Sequence, residues 1–153
     1  MKICAAMIGI LAVMSSAAFA HTLHVPFFKD DGDALEGTRP VEGSAGFIAV
    51  SNTTNAPITM YVVYEQMDLN GDVVVQEAGK YLLGPGQGIS WRPVKESPEE
   101  GPGVAVPDMI LGFSDSGAAR IIWLDAEGGA GALRGRYTEY TDQNAFAHVL
   151  LPE

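Results

Sequence analysis

Short apolar or alternating runs separated by turn-forming residues are the feature that most constrains the fold of this chain. The separators TTNAP, DLNGD, GPGQ and AEGGAG are rich in Gly, Pro, Asn and Asp, which favour tight turns. After the first 20 residues no segment keeps a helical period long enough to form a helix. The sequence therefore predicts an all-β fold with these candidate strands: TLHVPFF, AGFIAVSN, PITMYVVYEQM, DVVVQEAGKYLL, GISWRPV, ARIIWL, ALRGRYTEYT and FAHVLLP.

Short strands at this turn spacing are typical of an antiparallel β-sandwich of the immunoglobulin-like kind. Residues 21–153 are enough to bury one hydrophobic core, and no linker divides them. We therefore expect a single β-sandwich domain over 21–153. Segment 92–108 holds four prolines, which excludes a central strand there and predicts a long mobile loop.

The first 20 residues have the pattern of a cleaved signal peptide. Lys2 gives a positive start, AAMIGILAVM is too short to span a bilayer, and Ala18 and Ala20 are the small residues that a signal peptidase requires. The sequence thus predicts a signal peptide over 1–20 and a secreted or periplasmic protein without a membrane anchor. A cut one or two residues earlier stays open. The only cysteine, Cys4, lies inside this leader, so no disulfide is expected.

The formal net charge of −10 limits the classes of molecule that the protein can bind. Nucleic acid and anionic membrane surfaces would be repelled by such a chain. We expect a protein or glycan partner instead. Most acidic residues fall in turn segments such as KDDGD, KESPEE and DAEG, where they keep a surface soluble.

One hairpin can be predicted in detail. The dipeptide Asn70–Gly71 readily takes the positive φ angles of a type I′ turn, so the runs before and after it should pair antiparallel with positive φ at both residues. On the first of these strands one face carries alternate apolar residues: Ile58, Met60, Val62 and Tyr64.

The same turn is similar to the start of a calcium-binding loop, since Asp68, Asn70 and Asp72 occupy alternate positions. The later ligands and the closing glutamate of such a loop are missing. A plain hairpin turn accounts for every residue of DLNGD, and we prefer it.

No catalytic motif stands out in the sequence. There is no Gly-x-Ser-x-Gly motif for a serine nucleophile and no cysteine after the leader. His148 is the only histidine in the body of the predicted fold that could act as a base. We therefore expect a non-catalytic binding or interaction module rather than an enzyme.

The two tryptophans bear on its binding surface. Trp123 is expected in the core, whereas Trp91, followed by Arg92 and Pro93, is the candidate for an exposed ligand platform.

The alternative function is periplasmic copper binding. Cleavage after Ala20 would make His21 the first residue, and its amino and ring nitrogens could chelate copper with a second imidazole as third ligand. His24 would point to the opposite side of an extended strand, so His148 is the predicted partner of His21. Packing accounts for the rest of this strand, with Leu23, Val25 and Phe27 expected on one face and Phe28 on the other.

Overall fold

The computed structural model describes residues 20–32, 39–94 and 115–153. The predicted signal peptide, except Ala20, and residues 95–108 of the predicted loop lie outside the described residues. Within the described ranges all eight predicted strands are present, and a single 3-10 turn at Asp125–Glu127 follows the sixth. The strands are β1 (Ala20–Lys29), β2 (Ser44–Asn52), β3 (Ile58–Met67), β4 (Val73–Leu83), β5 (Gly88–Trp91), β6 (Ser116–Leu124), β7 (Leu133–Thr141) and β8 (Ala145–Leu150).

The eight described strands form two four-stranded sheets. The first sheet has the order β1-β6-β3-β4 and the second the order β5-β2-β7-β8, and every pairing is antiparallel. The all-β prediction is confirmed in this form, as two sheets in a sandwich-like arrangement. No helix in the described part of the chain is long and apolar enough to cross a membrane.

Alternation along the strands builds the core. Alternate residues of a strand point to opposite faces, and the inward residues of both sheets join one buried cluster. The predicted apolar face of β3 is confirmed, since its four members are fully buried. The largest buried side chains are Trp91, Trp123, Tyr64, Phe28, Leu23, Ile48, Ile58 and Met60.

The β3–β4 turn differs from its prediction. The N–H of Asp68 donates to the Asp72 carbonyl at 2.8 Å, and the N–H of Gly71 donates to the Asp68 carbonyl at 3.1 Å. Gly71 has a φ of 87°, whereas no described residue other than glycine has a positive φ, so Asn70 lacks one. The predicted type I′ geometry is therefore wrong. A three-residue loop closes the hairpin, in which a type I turn precedes a left-handed glycine.

A β-bulge changes the facing of β1. Val25 pairs with Ala119 but Phe28 pairs with Gly117, so β1 carries one residue more than β6 at this point. Phe28 is consequently fully buried, while Phe27 is 57% exposed. The prediction that Phe27 shares the buried face of Leu23 and Val25 is wrong because the extra residue reverses the alternation.

A buried ion pair ties the ends of β1 and β5 together. Arg92 donates from Nε to Asp30 Oδ1 at 2.8 Å, and from Nη2 to the same oxygen and to the Gly32 carbonyl. The N–H groups of Val94 and Gly46 also donate to the Asp30 carboxylate. Both charged side chains are withdrawn from solvent, with exposures of 0% and 3%. Because β1 and β5 belong to different sheets, this pair links the two layers.

Residues 151–153 return to the outer edge of β1. Leu23 forms an antiparallel bridge with Pro152, and the backbone groups of Thr22 and Glu153 exchange two hydrogen bonds of 2.9 and 3.3 Å. Part of the edge of the first sheet is thereby covered by chain that continues from the second sheet.

Candidate functional site

Trp91 lies in the core and not on the surface. Its exposed fraction is 0%, and its indole N–H donates to the Tyr64 hydroxyl at 2.7 Å. The partner comes from β3 in the opposite sheet, which satisfies the only polar group of the indole inside the protein. The predicted ligand platform at Trp91 is therefore corrected, because a fully buried ring offers no face to a ligand.

His21 is held by the protein at the start of β1. Its Nε2 lies 2.9 Å from Asp125 Oδ1, and its ring centroid is 5.5 Å from that of Trp123. Trp123 is itself fully buried, as predicted, and its indole N–H donates to the Gly129 carbonyl at 2.9 Å. The end of β6 and the following turn thus fix the imidazole of His21.

His148 lies far from His21. It pairs with Tyr137 on β7. The Tyr137 hydroxyl accepts a hydrogen bond from the backbone N–H of Lys29. Lys29 is the last residue of β1, whereas His21 lies near the start of that strand. The residues beyond β8 are the ones that meet the start of β1, since Pro152 forms a bridge with Leu23 and Glu153 bonds to Thr22. His148 precedes Pro152 by four residues, which correspond to roughly 13 Å of extended chain.

The structure therefore does not bring together the two imidazoles of the predicted copper site, His21 and His148, which would both have to bind one ion directly. His24 does not replace the missing ligand, because it lies three residues from His21 on the same strand and the two side chains point to opposite faces. No group of three His, Cys, Asp or Glu side chains that could hold a metal ion occurs among residues 20–32, 39–94 and 115–153.

Asp68 serves the hairpin turn. Its carboxylate accepts the backbone N–H groups of Asp72 at 2.9 Å and Asn70 at 2.8 Å, and these hydrogen bonds lower the pKa of the carboxyl group. The first acidic residue of the calcium-like pattern, Asp68, therefore caps its own turn.

The second sheet carries an open cleft of about 380 Å³ on the face turned away from the core, lined by residues 49–51, 88–90 and by Arg134. Neighbouring strands place small side chains side by side here, since Ser51 pairs with Gly88 and Ala49 with Ser90. On the other flank, Ser51 pairs with Arg134 of β7. We call this surface the arginine cleft.

Two arginines form the β7 side of this surface. Arg134 and Arg136 are exposed, while Leu133, Gly135 and Tyr137 between and beside them are buried. Arg136 pairs with Ala49 of the cleft floor. Neither guanidinium makes a hydrogen bond or ion pair with any residue in the part of the chain that the structure describes. Both forks are thus available to carboxylate, sulfate or phosphate groups.

Sequence reasoning missed this cleft. The available signal was the alternation in LRGRYTEYT, where Arg134 and Arg136 must share one face of a strand and Gly135 the other. The small residues that make the floor come from β2 and β5, and only the strand order places them beside β7.

Comparisons with known proteins add little to this geometry. No protein-family model and no curated protein sequence match the chain. A solved structure with some similarity is the crystal structure of Thermotoga maritima 1070, which is 7% identical with a TM-score of 0.48 over 87% of this chain and 92% of that chain. A similarity of this extent carries no argument about fold or function.

Proposed function

We propose that this protein is a non-catalytic binding module that is exported to the periplasm or cell exterior and holds its ligand in the arginine cleft. The observation that carries the proposal is a pair of exposed guanidinium groups that have no partner among the described residues and lie beside a floor of small residues. Strands of a sheet hold such groups at fixed spacing, so a ligand meets a site that is already formed.

Export is supported by the leader pattern. Ala18 and Ala20 precede His21, and β1 begins at Ala20, so a cut after Ala20 would remove only the first residue of the strand. The signal peptide over 1–20 and the single domain over 21–153 belong to this proposal.

An immunoglobulin-like sandwich is the finer fold that we propose. In that fold strands B and E pair in one sheet and strands C and F pair in the other. Here β2 pairs with β5 in the second sheet, and β3 pairs with β6 in the first. We therefore equate β2 and β5 with strands B and E, and β3 and β6 with strands C and F. β4 then takes the place of strand C′. β1 occupies the position of strand G beside β6, and β7 occupies the position of strand A beside β2. The first and seventh strands have exchanged sheets relative to the usual order.

The proposal is tested on the protein recovered from the envelope and medium of cells that express the full chain. Mass spectrometry should give a first residue of His21. The recovered protein should then be screened against arrays of glycans and peptides, with Arg134→Gln as the site variant and Lys80→Gln as an equal change of charge on the first sheet. Binding that only Arg134→Gln weakens is expected. Retention of the leader, turnover of a bound compound, or binding that is indifferent to Arg134 would overturn the proposal.

A further inference from the structure

We propose that the arginine cleft binds an acidic oligosaccharide, with Arg134 and Arg136 each receiving one of its anionic groups. This inference rests on the proposed binding function and names the ligand class. The shared chemistry is a chain of sugar rings that carry carboxylate or sulfate groups.

The first argument is the layout of the cleft. Two rows cross the sheet, Gly88–Ser51–Arg134 and Ser90–Ala49–Arg136. The arginines are alternate residues of one strand and therefore roughly 7 Å apart at the backbone. A trough of small residues thus runs along β2, with two cationic forks on one side and the Ser51 and Ser90 hydroxyls within it.

The second argument is the local charge. Although the chain has 19 acidic residues, those in described strands number three, Glu65, Glu77 and Glu139. Of these, Glu139 alone belongs to the second sheet, and it accepts a hydrogen bond from Tyr137 on the side facing the core. Salt screens charges beyond about 8 Å, so an anion at the cleft experiences the two arginines more than the negative charge of the turns.

The third argument separates a sugar from an acidic peptide. A peptide gains affinity by adding a strand to a free sheet edge, but the floor strand β2 is already paired with β5 on one side and β7 on the other. An extended peptide would also lose conformational entropy on ordering. A sugar ring is rigid, fits a flat floor of Ala, Ser and Gly, and offers hydroxyls that can bond to Ser51 and Ser90.

The experiment is isothermal calorimetry with the purified exported protein. The probes are an oligogalacturonate, a sulfated oligosaccharide of equal length, a neutral oligosaccharide of equal length, and polyglutamate. Variants are Arg134→Gln, Arg136→Gln, Arg134→Lys and Ala49→Leu, which fills the trough and leaves both charges. Lys80→Gln, on β4 of the first sheet, is the matched control.

We expect one or both acidic oligosaccharides to bind, and the tighter of the two identifies the anionic group. Each Gln variant should weaken this binding about tenfold, as the loss of one charge-assisted hydrogen bond would. Ala49→Leu should abolish it, Arg134→Lys should retain only part of it, added salt should weaken it, and Lys80→Gln should leave it unchanged.

The inference is overturned when the neutral oligosaccharide binds as tightly, or when the Gln variants bind like the unmodified protein. Polyglutamate binding that is lost in Arg134→Gln would overturn the ligand class while leaving the proposed binding function in place. Failure of all four probes, together with empty arrays, would remove both proposals.

Discussion

Removal of the Arg92 side-chain charge should destabilise the protein more than any surface change. In Arg92→Met the Asp30 carboxylate would keep the N–H donors of Val94 and Gly46 but would lose its counter-charge at a site with 0% exposure. An uncompensated buried charge of this kind costs about 3–5 kcal/mol, a large part of the roughly 5–15 kcal/mol by which domains are stable. The control is Arg120→Gln, since the Arg120–Glu65 pair is partly exposed at 40% and 28% and should cost less than about 1 kcal/mol.

Denaturant unfolding followed by tryptophan fluorescence measures these changes, because Trp91 and Trp123 are both fully buried and become solvated on unfolding. The double variant Asp30→Asn/Arg92→Met should recover part of the loss, since no buried charge remains unpaired. The argument would be refuted if the double variant lost as much free energy of unfolding as Arg92→Met and Asp30→Asn lose together as single variants. So would an Arg92→Met cost no greater than that of Arg120→Gln.

Three further changes probe the backbone and the core. Gly71→Val should lower the free energy of unfolding by at least about 1 kcal/mol, because its φ is 87°, whereas Gly71→Asn should cost less; equal melting temperatures would contradict this. Gly46→Ala should cost about 1–3 kcal/mol by overpacking, since the new Cβ would lie 2.6 Å from the Lys29 carbonyl oxygen, and thermal unfolding measures it. Burial, more than its neighbouring charges, raises the pKa of the Tyr137 hydroxyl. The stability contributed by this phenol is therefore complete below the usual pKa of about 10 and is lost as the pH rises above it; Tyr137→Phe should remove that loss in denaturant titrations across alkaline pH.

The strands were predictable because their signals are local. The alternation of Ile58, Met60, Val62 and Tyr64 specifies a buried face of β3 without knowledge of what covers it, and all four are buried. The sequence locates the turn at Gly71 correctly. The type of turn depends on which two residues form the last hydrogen bond between the strands, and here they are Asp68 and Asp72. A dipeptide preference does not contain that register information.

The candidate site was not predictable because its determinants are tertiary. The sequence predicts an exposed Trp91 because Arg92 follows it, yet Arg92 is buried against Asp30 and the indole N–H donates to Tyr64 of the opposite sheet. The arginine cleft needs β5, β2 and β7 side by side. The pattern of apolar and polar residues within a strand does not indicate which distant strand will pair with it.

The position of β1 also determines when the protein can fold. β1 is the first described strand, but its partner β6 begins at Ser116, and its outer edge is covered by Pro152 and Glu153. Contacts between such distant residues make folding slow. β1 therefore stays unpaired until β6 has been made and can reach it. A chain that stops before Ser116 would expose the apolar faces of β1 and β3, so β6 on one side and residues 151–153 on the other hold the first strand in its sheet.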